Sequence, residues 1–522
     1  MIRKLIDKLL GKPAAKTRTS AIPLGKRLEI PASEHGIDPE LVDERAVRVV
    51  RALQDAGHVA YIVGGAVRDL LVGRRPKDFD VATNATPEQV KALFRRAFII
   101  GRRFRIVHVI FGRGRDHEVV EVSTFRAYLE ADQAEQVAGN EKTSKGELAG
   151  KSHVVDASGR VLRDNVWGPQ IEDAARRDFT INAMYYDPVT RVVIDYHHGL
   201  KDLKKRTLRM IGDPATRFRE DPVRLVRVVR FAAKLGFEID PATRRPMAET
   251  AALLEAVPQS RLFDEMIKLL QTGHAIASVA ELKKHGLGGL FPLLAPLMGN
   301  GVKQKNQRVQ FVESALADTD ARVAEDRAVV PSYLLACLLW HEVRERWQQA
   351  RAGGMHPVPA LQSSIDAVFD ARIGDISGRG KLAADMREIW LMQPRFERRI
   401  GASPYSLIEQ PRYRAAFDFL RLRADCGEID AELADWWEDF ALGTAEEREA
   451  LIAAVRETQR STPRRTPMQR DLRPPTEVTD VSGDPPVGAA EQGAEPRKRR
   501  RRRRRAGGGS GGGAAPAGEA GT

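Results

Sequence analysis

Apolar positions recur at helical spacing from the first residues of the chain. Ile2, Leu5, Ile6, Leu9 and Leu10 form one stripe, and Arg3, Lys4, Lys8 and Lys12 fill the other side. That pattern predicts a basic amphipathic helix, able to lie weakly on an anionic membrane surface or to cap the domain behind it. Residues 13–38, with Pro13, Pro23 and Pro31, read as an extended linker. The periodicity then predicts a helix over 39–56 and a short apolar strand over 58–63. Gly64–Gly65 breaks the strand, and a second helix begins. Residues 77–81 read as another strand. Thr86 as N-cap, with Pro87 at the first helical position, opens a helix over 87–95. The segments 104–111 and 118–125 predict two more strands. Short helices mixed with strands imply an α+β domain with a small mixed sheet.

Residues 129–153 are polar and read as a mobile loop. Helical spacing dominates from about 170, with one interruption at 191–196 that reads as a strand or hairpin. The stretch 214–460 reads as all helical, with Leu225, Val226, Val229, Leu269, Leu334, Trp390, Trp436 and Trp437 among its apolar positions. Residues 461–522 hold no Phe, Trp or Tyr and too little apolar surface to offset the entropy of ordering, so they read as disordered. They include an unbroken basic run, Arg497 to Arg505.

Charge sharpens this division. The 522 residues carry a formal net charge of +13, six of it in the tail. A mildly basic body and a strongly basic tail point to a polyanionic partner. Two cysteines, Cys337 and Cys426, exclude a disulfide framework and a four-thiolate zinc site, and read as free thiols. No run of 18 or more apolar residues predicts a membrane-spanning helix, and the N-terminus lacks a signal-peptide pattern.

The chemistry concentrates between residues 64 and 121. Asp78 and Asp80, two apart on a strand, would share a face and offer oxygen ligands to a hard divalent cation. Alone, such a pair is common and reads first as two exposed acids on a sheet edge. Fourteen residues earlier, however, stands Gly64-Gly65-Ala66-Val67-Arg68-Asp69. Glycines at a strand-to-helix turn let backbone N–H groups approach a phosphate, and Arg68 adds a charged contact. A phosphate cradle beside paired acids is equipment for two-metal nucleotidyl transfer. Glu121, mid-strand among apolar and small residues, is the candidate third acid. Further on, Asp221 reads as an N-cap with Pro222 behind it, and Arg224 shares its helix face. That is either a local ion pair or a donor-and-acceptor fork for a base. Arg227 and Arg230 continue the spacing, as phosphate contacts or solvated charges. Trp167, Trp436 and Trp437 read as core, and His197–His198 as a loop pair.

Four ordered motifs, Val63–Asp69, Lys77–Asp80, Arg176-Arg177-Asp178-Phe179-Thr180-Ile181-Asn182-Ala183 and Glu220-Asp221-Pro222-Val223-Arg224, resemble the tRNA nucleotidyltransferase/poly(A) polymerase family over residues 30–460. The resemblance implies a polymerase-β-type nucleotidyltransferase head followed by all-α neck and body domains. The expected boundaries are an N-terminal extension 1–38, head 39–200, neck 201–275, body 276–460 and basic tail 461–522. It implies that Asp78, Asp80 and Glu121 bind catalytic magnesium, with manganese as an alternative. Gly64, Gly65 and Arg68 hold the triphosphate of ATP, Arg177 and Asp178 border the ribose, and Asp221 and Arg224 read the base. Arg261 and Glu265 would support the neck. The 99–109 segment, the run from Pro76 to Arg95 and the basic tail resemble the bacterial poly(A) polymerase subgroup. That subgroup adenylates RNA 3′ ends of mRNA, small RNA or tRNA in the cytoplasm and feeds the RNA-decay machinery. A CCA-adding enzyme using CTP and ATP, and a non-catalytic RNA-binding adaptor, are the competing expectations.

Overall fold

The computed structural model describes residues 24–101, 105–112, 117–127, 135–136, 153–155, 161–298, 307–327, 329–372 and 380–461. The N-terminal amphipathic segment, most of the 129–153 stretch and the basic tail lie outside them. Contacts divide the chain into Met1–Ser461 and Thr462–Thr522, and only the first unit contains described residues.

The head is an eight-stranded mixed sheet. In chain order its strands are β1 (Leu28–Pro31), β2 (Ala60–Val63), β3 (Asp80–Thr83), β4 (Ala97–Ile100), β5 (Ile106–Phe111), β6 (Glu118–Thr124), β7 (Met184–Asp187) and β8 (Val192–Asp195). Their order across the sheet is β1-β8-β7-β2-β3-β6-β5-β4. Only β3–β6 is parallel among these pairings. β1 falls in the segment read as a linker: Leu28 to Pro31 pair along β8, and only Ile30 is buried. One alternating residue gave too weak a period to see. β7 was likewise hidden, because Met184, Tyr185 and Tyr186 are all buried and carry no alternation.

Alternation along β2 and β3 sorts the two faces. Ala60, Ile62 and Val81 join the main core, against helix α1 (Glu44–Asp55), while α3 (Pro87–Leu93) packs on β4, β5 and β6. Tyr61, Val63 and Ala82 face the other way and pack with Phe125, Ala174, Tyr185, Ile194 and Tyr196. Register fixes what else lies on that second face. Tyr185, Val63, Asp80, Glu121 and His108 are successive cross-strand partners, so they form one row. α1 begins at Glu44 rather than 39, because Asp43 caps it by accepting from the Arg45 N–H. The 87–93 helix α3 carries the expected Thr86 cap, reinforced by Gln89 as a capping box. Within the stretch read as a loop, Glu135–Gln136 pairs with His153–Val155, which pairs with Val161–Asp164.

After the sheet the described residues are mainly helical, with one two-residue pairing of Thr207–Leu208 with Glu238–Ile239. The helices that frame the site are α4 (Gln170–Ala175), α5 (Pro214–Glu220), α6 (Arg224–Leu235), α7 (Gln259–Leu270) and α8 (Ala275–Lys284). The head core runs on without a break through Val226, Leu269 and Trp340 into the helical part. A second core near the end holds Phe396, Trp436, Trp437 and Phe440, so both tryptophans are packing residues as expected.

Candidate active site

β2 ends at Val63, and the chain turns at Gly64 into α2 (Gly65–Leu71). Gly64 has φ 76° and ψ −130°, a conformation that a Cβ strongly disfavours. A Cβ there would also stand 3.4 Å from Arg177 Nη1. Arg68, on α2, is 3 % exposed; its Nη1 donates to Asn182 Oδ1 at 2.7 Å and its Nε to Asp69 Oδ1 at 2.8 Å. Gly64, Gly65 and Arg68 open onto a cleft of about 1310 Å³.

Asp78 and Asp80 line the same cleft. β3 starts at Asp80, so Asp78 belongs to the approach to the strand and not to the pleat. Asp80 is open to the cleft's water yet ringed by protein. That burial pushes its carboxyl up to about 6; Glu121 and Asp78 add to the rise, and Arg177 opposes it. Glu121 is the cross-strand partner of Asp80, but it does not line the cleft, and its Oε1 is 3.1 Å from His108 Nε2. Among the described residues, no three His, Cys, Asp or Glu side chains are gathered as a closed metal cage. The donor set nevertheless fits a hard divalent cation: three carboxylates repel one another around Asp80, and a cation would relieve that repulsion.

The segment from Arg176 to Ala183 forms the cleft's next wall. Arg177 donates to Asp173 Oδ2 at 3.2 Å and lies over the Tyr185 ring at 5.4 Å. Burial would lower its pKa, but Tyr185 and Asp173 outweigh burial and the guanidinium stays charged. Asp178 Oδ1 accepts the Phe179 N–H and Asn182 Nδ2, and its Oδ2 accepts Arg227 Nε at 3.0 Å. Burial would raise this carboxyl; the Arg227 guanidinium overrides it and holds it at about 2. Arg227 is thereby an internal strut.

Asp221 is not the N-cap of α6. It ends α5, and Val223 occupies the cap position without a side-chain bond. The α5 hydrogen bonding carries through to the Asp221 N–H, which leaves the carboxylate to take Arg261 Nη2 at 3.1 and 3.3 Å. Arg224 pairs with Glu220 at 3.0 Å rather than with Asp221. Arg230 pairs with Glu265 at 3.3 Å, so Arg261 and Glu265 do brace the residues before and along α6.

Nine of the ten residues singled out from sequence therefore line one cleft, and Glu121 lies beside it. Several lining groups went unnoticed: Arg74, Arg75, Arg126, Asp173, Asn182, Lys234 and Lys268. Asn182 sits inside the third motif and bridges Arg68 to Asp178. The others, the adjacent Arg74 and Arg75 among them, lie outside the four motifs and carry no local signal. Lys77 reaches across to Asp326 at 2.9 Å, linking the acid-bearing segment to the turn after the helix Gln307–Ala324. His197 and His198 are a turn at the start of the helix Gly199–Lys204, with Asp195 accepting the His197 N–H. Cys337 is buried and Cys426 half-buried, and burial raises both thiols.

Three family descriptions match the chain: "Poly A polymerase head domain" over residues 60–209, "Probable RNA and SrmB- binding site of polymerase A" over 236–298, and "Polymerase A arginine-rich C-terminus" over 353–471. Poly(A) polymerase I of Haemophilus influenzae is 39 % identical over 459 residues, covering 87 % of this chain and 96 % of the relative. The Escherichia coli O6:H1 protein of the same name is 39 % identical over 86 % of this chain and 93 % of its own. A CCA-adding enzyme of Bacillus licheniformis is 36 % identical over 45 % of this chain and 53 % of its own. The crystal structure of Bacillus stearothermophilus CCA-adding enzyme with CTP aligns over 80 % of this chain and 98 % of its own, at 22 % identity and a TM-score of 0.43. With near-full-length identity to those relatives and its head, RNA-binding and C-terminal segments each matched, this chain belongs to the bacterial poly(A) polymerase family.

Proposed function

We propose that this protein is a polynucleotide adenylyltransferase that adds AMP from ATP to RNA 3′ ends without a template. The observation that carries the reading is one basic cleft in which Gly64, Gly65, Arg68, Asp78, Asp80, Arg177, Asp178, Asp221 and Arg224 all meet. The extent of identity favours poly(A) addition over CCA addition: the poly(A) polymerases align with most of this chain, the CCA-adding enzyme with under half.

Asp78, Asp80 and Glu121 would hold magnesium, or manganese. When bound, the ion supplies charge neutralisation at the reacting phosphate and lowers the pKa of the attacking hydroxyl. The backbone at Gly64–Gly65 and the Arg68 guanidinium take the triphosphate. Arg177 borders the ribose, held in place by Asp173 and Tyr185. Asp178 acts on the ribose side mainly by fixing this wall, since its oxygens are engaged by Arg227, Asn182 and the Phe179 N–H. Asp221 and Arg224 present an acceptor and a donor to the base, oriented by Arg261 and Glu220. The RNA 3′-oxygen attacks the α-phosphorus as the bond to the leaving pyrophosphate breaks. The protein contributes position and charge. The basic tail would add a sequence-independent hold on RNA. The reading carries with it the cytoplasm as setting and RNA decay as outcome.

Primer extension tests it, on a generic single-stranded RNA and on a tRNA lacking its 3′ end, with ATP, CTP or both. Long ladders with ATP alone support the proposal. Addition of a few residues to the tRNA that requires CTP would replace it with CCA addition. RNA binding with no extension, unchanged by Asp80→Ala, would leave an adaptor.

A further inference from the structure

Four cationic side chains on α6 face the cleft: Arg224, Arg227, Arg230 and Lys234. Their spacing of three, three and four residues keeps them on one stripe of the helix. Ten residues at 1.5 Å rise make the stripe about 15 Å long. It starts beside Asp221 at the base end. At its other end the same helix meets the Gly64–Gly65 turn through Arg68, whose guanidinium lies 5.7 Å from the Phe231 ring. Arg227 and Arg230 lie over that ring too, at 5.5 and 4.7 Å. The stripe thus runs parallel to a nucleotide laid from base edge to phosphates.

Each of the first three cations has a carboxylate: Glu220 for Arg224, Asp178 for Arg227 and Glu265 for Arg230. Lys234 has no hydrogen bond or ion pair to a described residue. Its electrostatic neighbours are Arg68, Arg230 and Lys77 against one acid, Asp69, and Asp69 is already bonded to Arg68. The other three cations of this corner are likewise committed, to Asp69, Glu265 and Asp326. Lys234 is only partly exposed, and burial with these neighbours lowers its pKa. A half-buried ammonium crowded by cations needs an anion to offset the cost.

We propose that Lys234 binds the terminal phosphates of the incoming nucleoside triphosphate, and afterwards the pyrophosphate product. The inference rests on the nucleotidyl-transfer reading. It assigns the far end of the α6 stripe to polyphosphate and leaves the near end to the base.

The test uses the full chain with Lys234→Met and Lys234→Arg, and calorimetric titration with inorganic tripolyphosphate and, separately, AMP. The Met variant should lose about ten- to a hundredfold in tripolyphosphate affinity, the range of one charged hydrogen bond, while AMP affinity stays within twofold. The Arg variant should recover most of the loss. In steady state the Met variant should raise the KM for ATP by a similar factor and weaken pyrophosphate inhibition, with kcat within a few fold. Tripolyphosphate affinity within twofold of wild type in the Met variant overturns the assignment. So does equal loss for AMP and tripolyphosphate, which would mark a general effect on the cleft. A wild-type chain that binds tripolyphosphate through Lys234 yet never extends RNA would instead refute the transfer reading alone.

Discussion

Asp178 and Arg227 connect the head to α6, and the strength of that link can be worked from the structure. Asp178 sits at about 2, against an ordinary 3.8 for an aspartate. The difference corresponds to roughly 2–3 kcal/mol favouring the ionised, paired form. Asp178 is 11 % exposed and Arg227 32 %, so water screens the pair only in part. Asp178→Asn removes the charge at constant shape and strands Arg227. Breaking a buried pair costs about 3–5 kcal/mol; partial exposure of Arg227 reduces this to about 2–4 kcal/mol. Arg227→Met strands Asp178 and should cost a similar amount. The double variant should lose less than the sum, with a coupling of about 2 kcal/mol in a urea-unfolding double-mutant cycle at pH 7. Because the folded pKa is depressed, the stabilisation is complete above the unfolded value and vanishes as pH falls through about 2. The gap between wild type and Asp178→Asn should therefore narrow on acidification below pH 4. A coupling under about 0.5 kcal/mol at pH 7, or a gap that widens in acid, would refute the strut.

Other substitutions separate chemistry from folding. Asp80→Asn should leave the thermal midpoint within a degree or two, because its side chain is open to the cleft, and should reduce AMP incorporation by about a thousandfold or more. Gly64→Ala forces φ 76°, ψ −130° on a residue with a Cβ, so the turn should shift and the KM for ATP rise at least tenfold; an unchanged KM would mean that the turn does not border the nucleotide. Away from the cleft lining, the Glu428 side chain is fully buried, with Trp340, His341, Arg344 and Arg423 around it. Glu428→Gln should cost about 3–5 kcal/mol of unfolding free energy while the KM for ATP holds. Cutting the chain after Ser461 should flatten the dependence of log RNA affinity on log salt, and an identical slope would remove the tail from RNA binding.

What could be read from sequence was whatever carries a local period or a dense motif. The strands β2, β5 and β6 announced themselves by apolar runs or alternation, and α3 by its Thr86–Pro87 start. The cleft's acids and glycines were legible because each motif packs several constrained residues into four to eight positions. β1 and β7 were not, since one is a mostly exposed edge and the other is buried on all sides. Asp221 misled for a related reason. Asp followed by Pro is a common helix start, but here the carboxylate is claimed by Arg261, forty residues on. Tertiary pairing overrode the local preference. Arg227 and Arg230 were ambiguous for the same cause: their carboxylates, Asp178 and Glu265, come from segments far away in sequence.

Those pairings bear on how a protein can choose a base without a template. A template fixes donors and acceptors by stacking them in a duplex; side chains have no such frame and long ones swing freely. A guanidinium tied to a carboxylate loses that freedom before the nucleotide arrives, so its remaining N–H groups point in fixed directions. On the proposed reading, Arg224 held by Glu220 and Asp221 held by Arg261 meet this condition at the base end. Asp178 and Glu265 hold the middle of α6 against the head and α7, so Asp221 and Arg224 keep one spacing from Asp80 at the start of β3. The proposed phosphate end needs the opposite property. Phosphates are alike for every nucleotide, so a flexible ammonium without a partner serves there as well as a fixed fork. On the proposed reading, the order along α6, three arginines with carboxylates and then a lysine without one, follows from that difference between reading a base and gripping a charge.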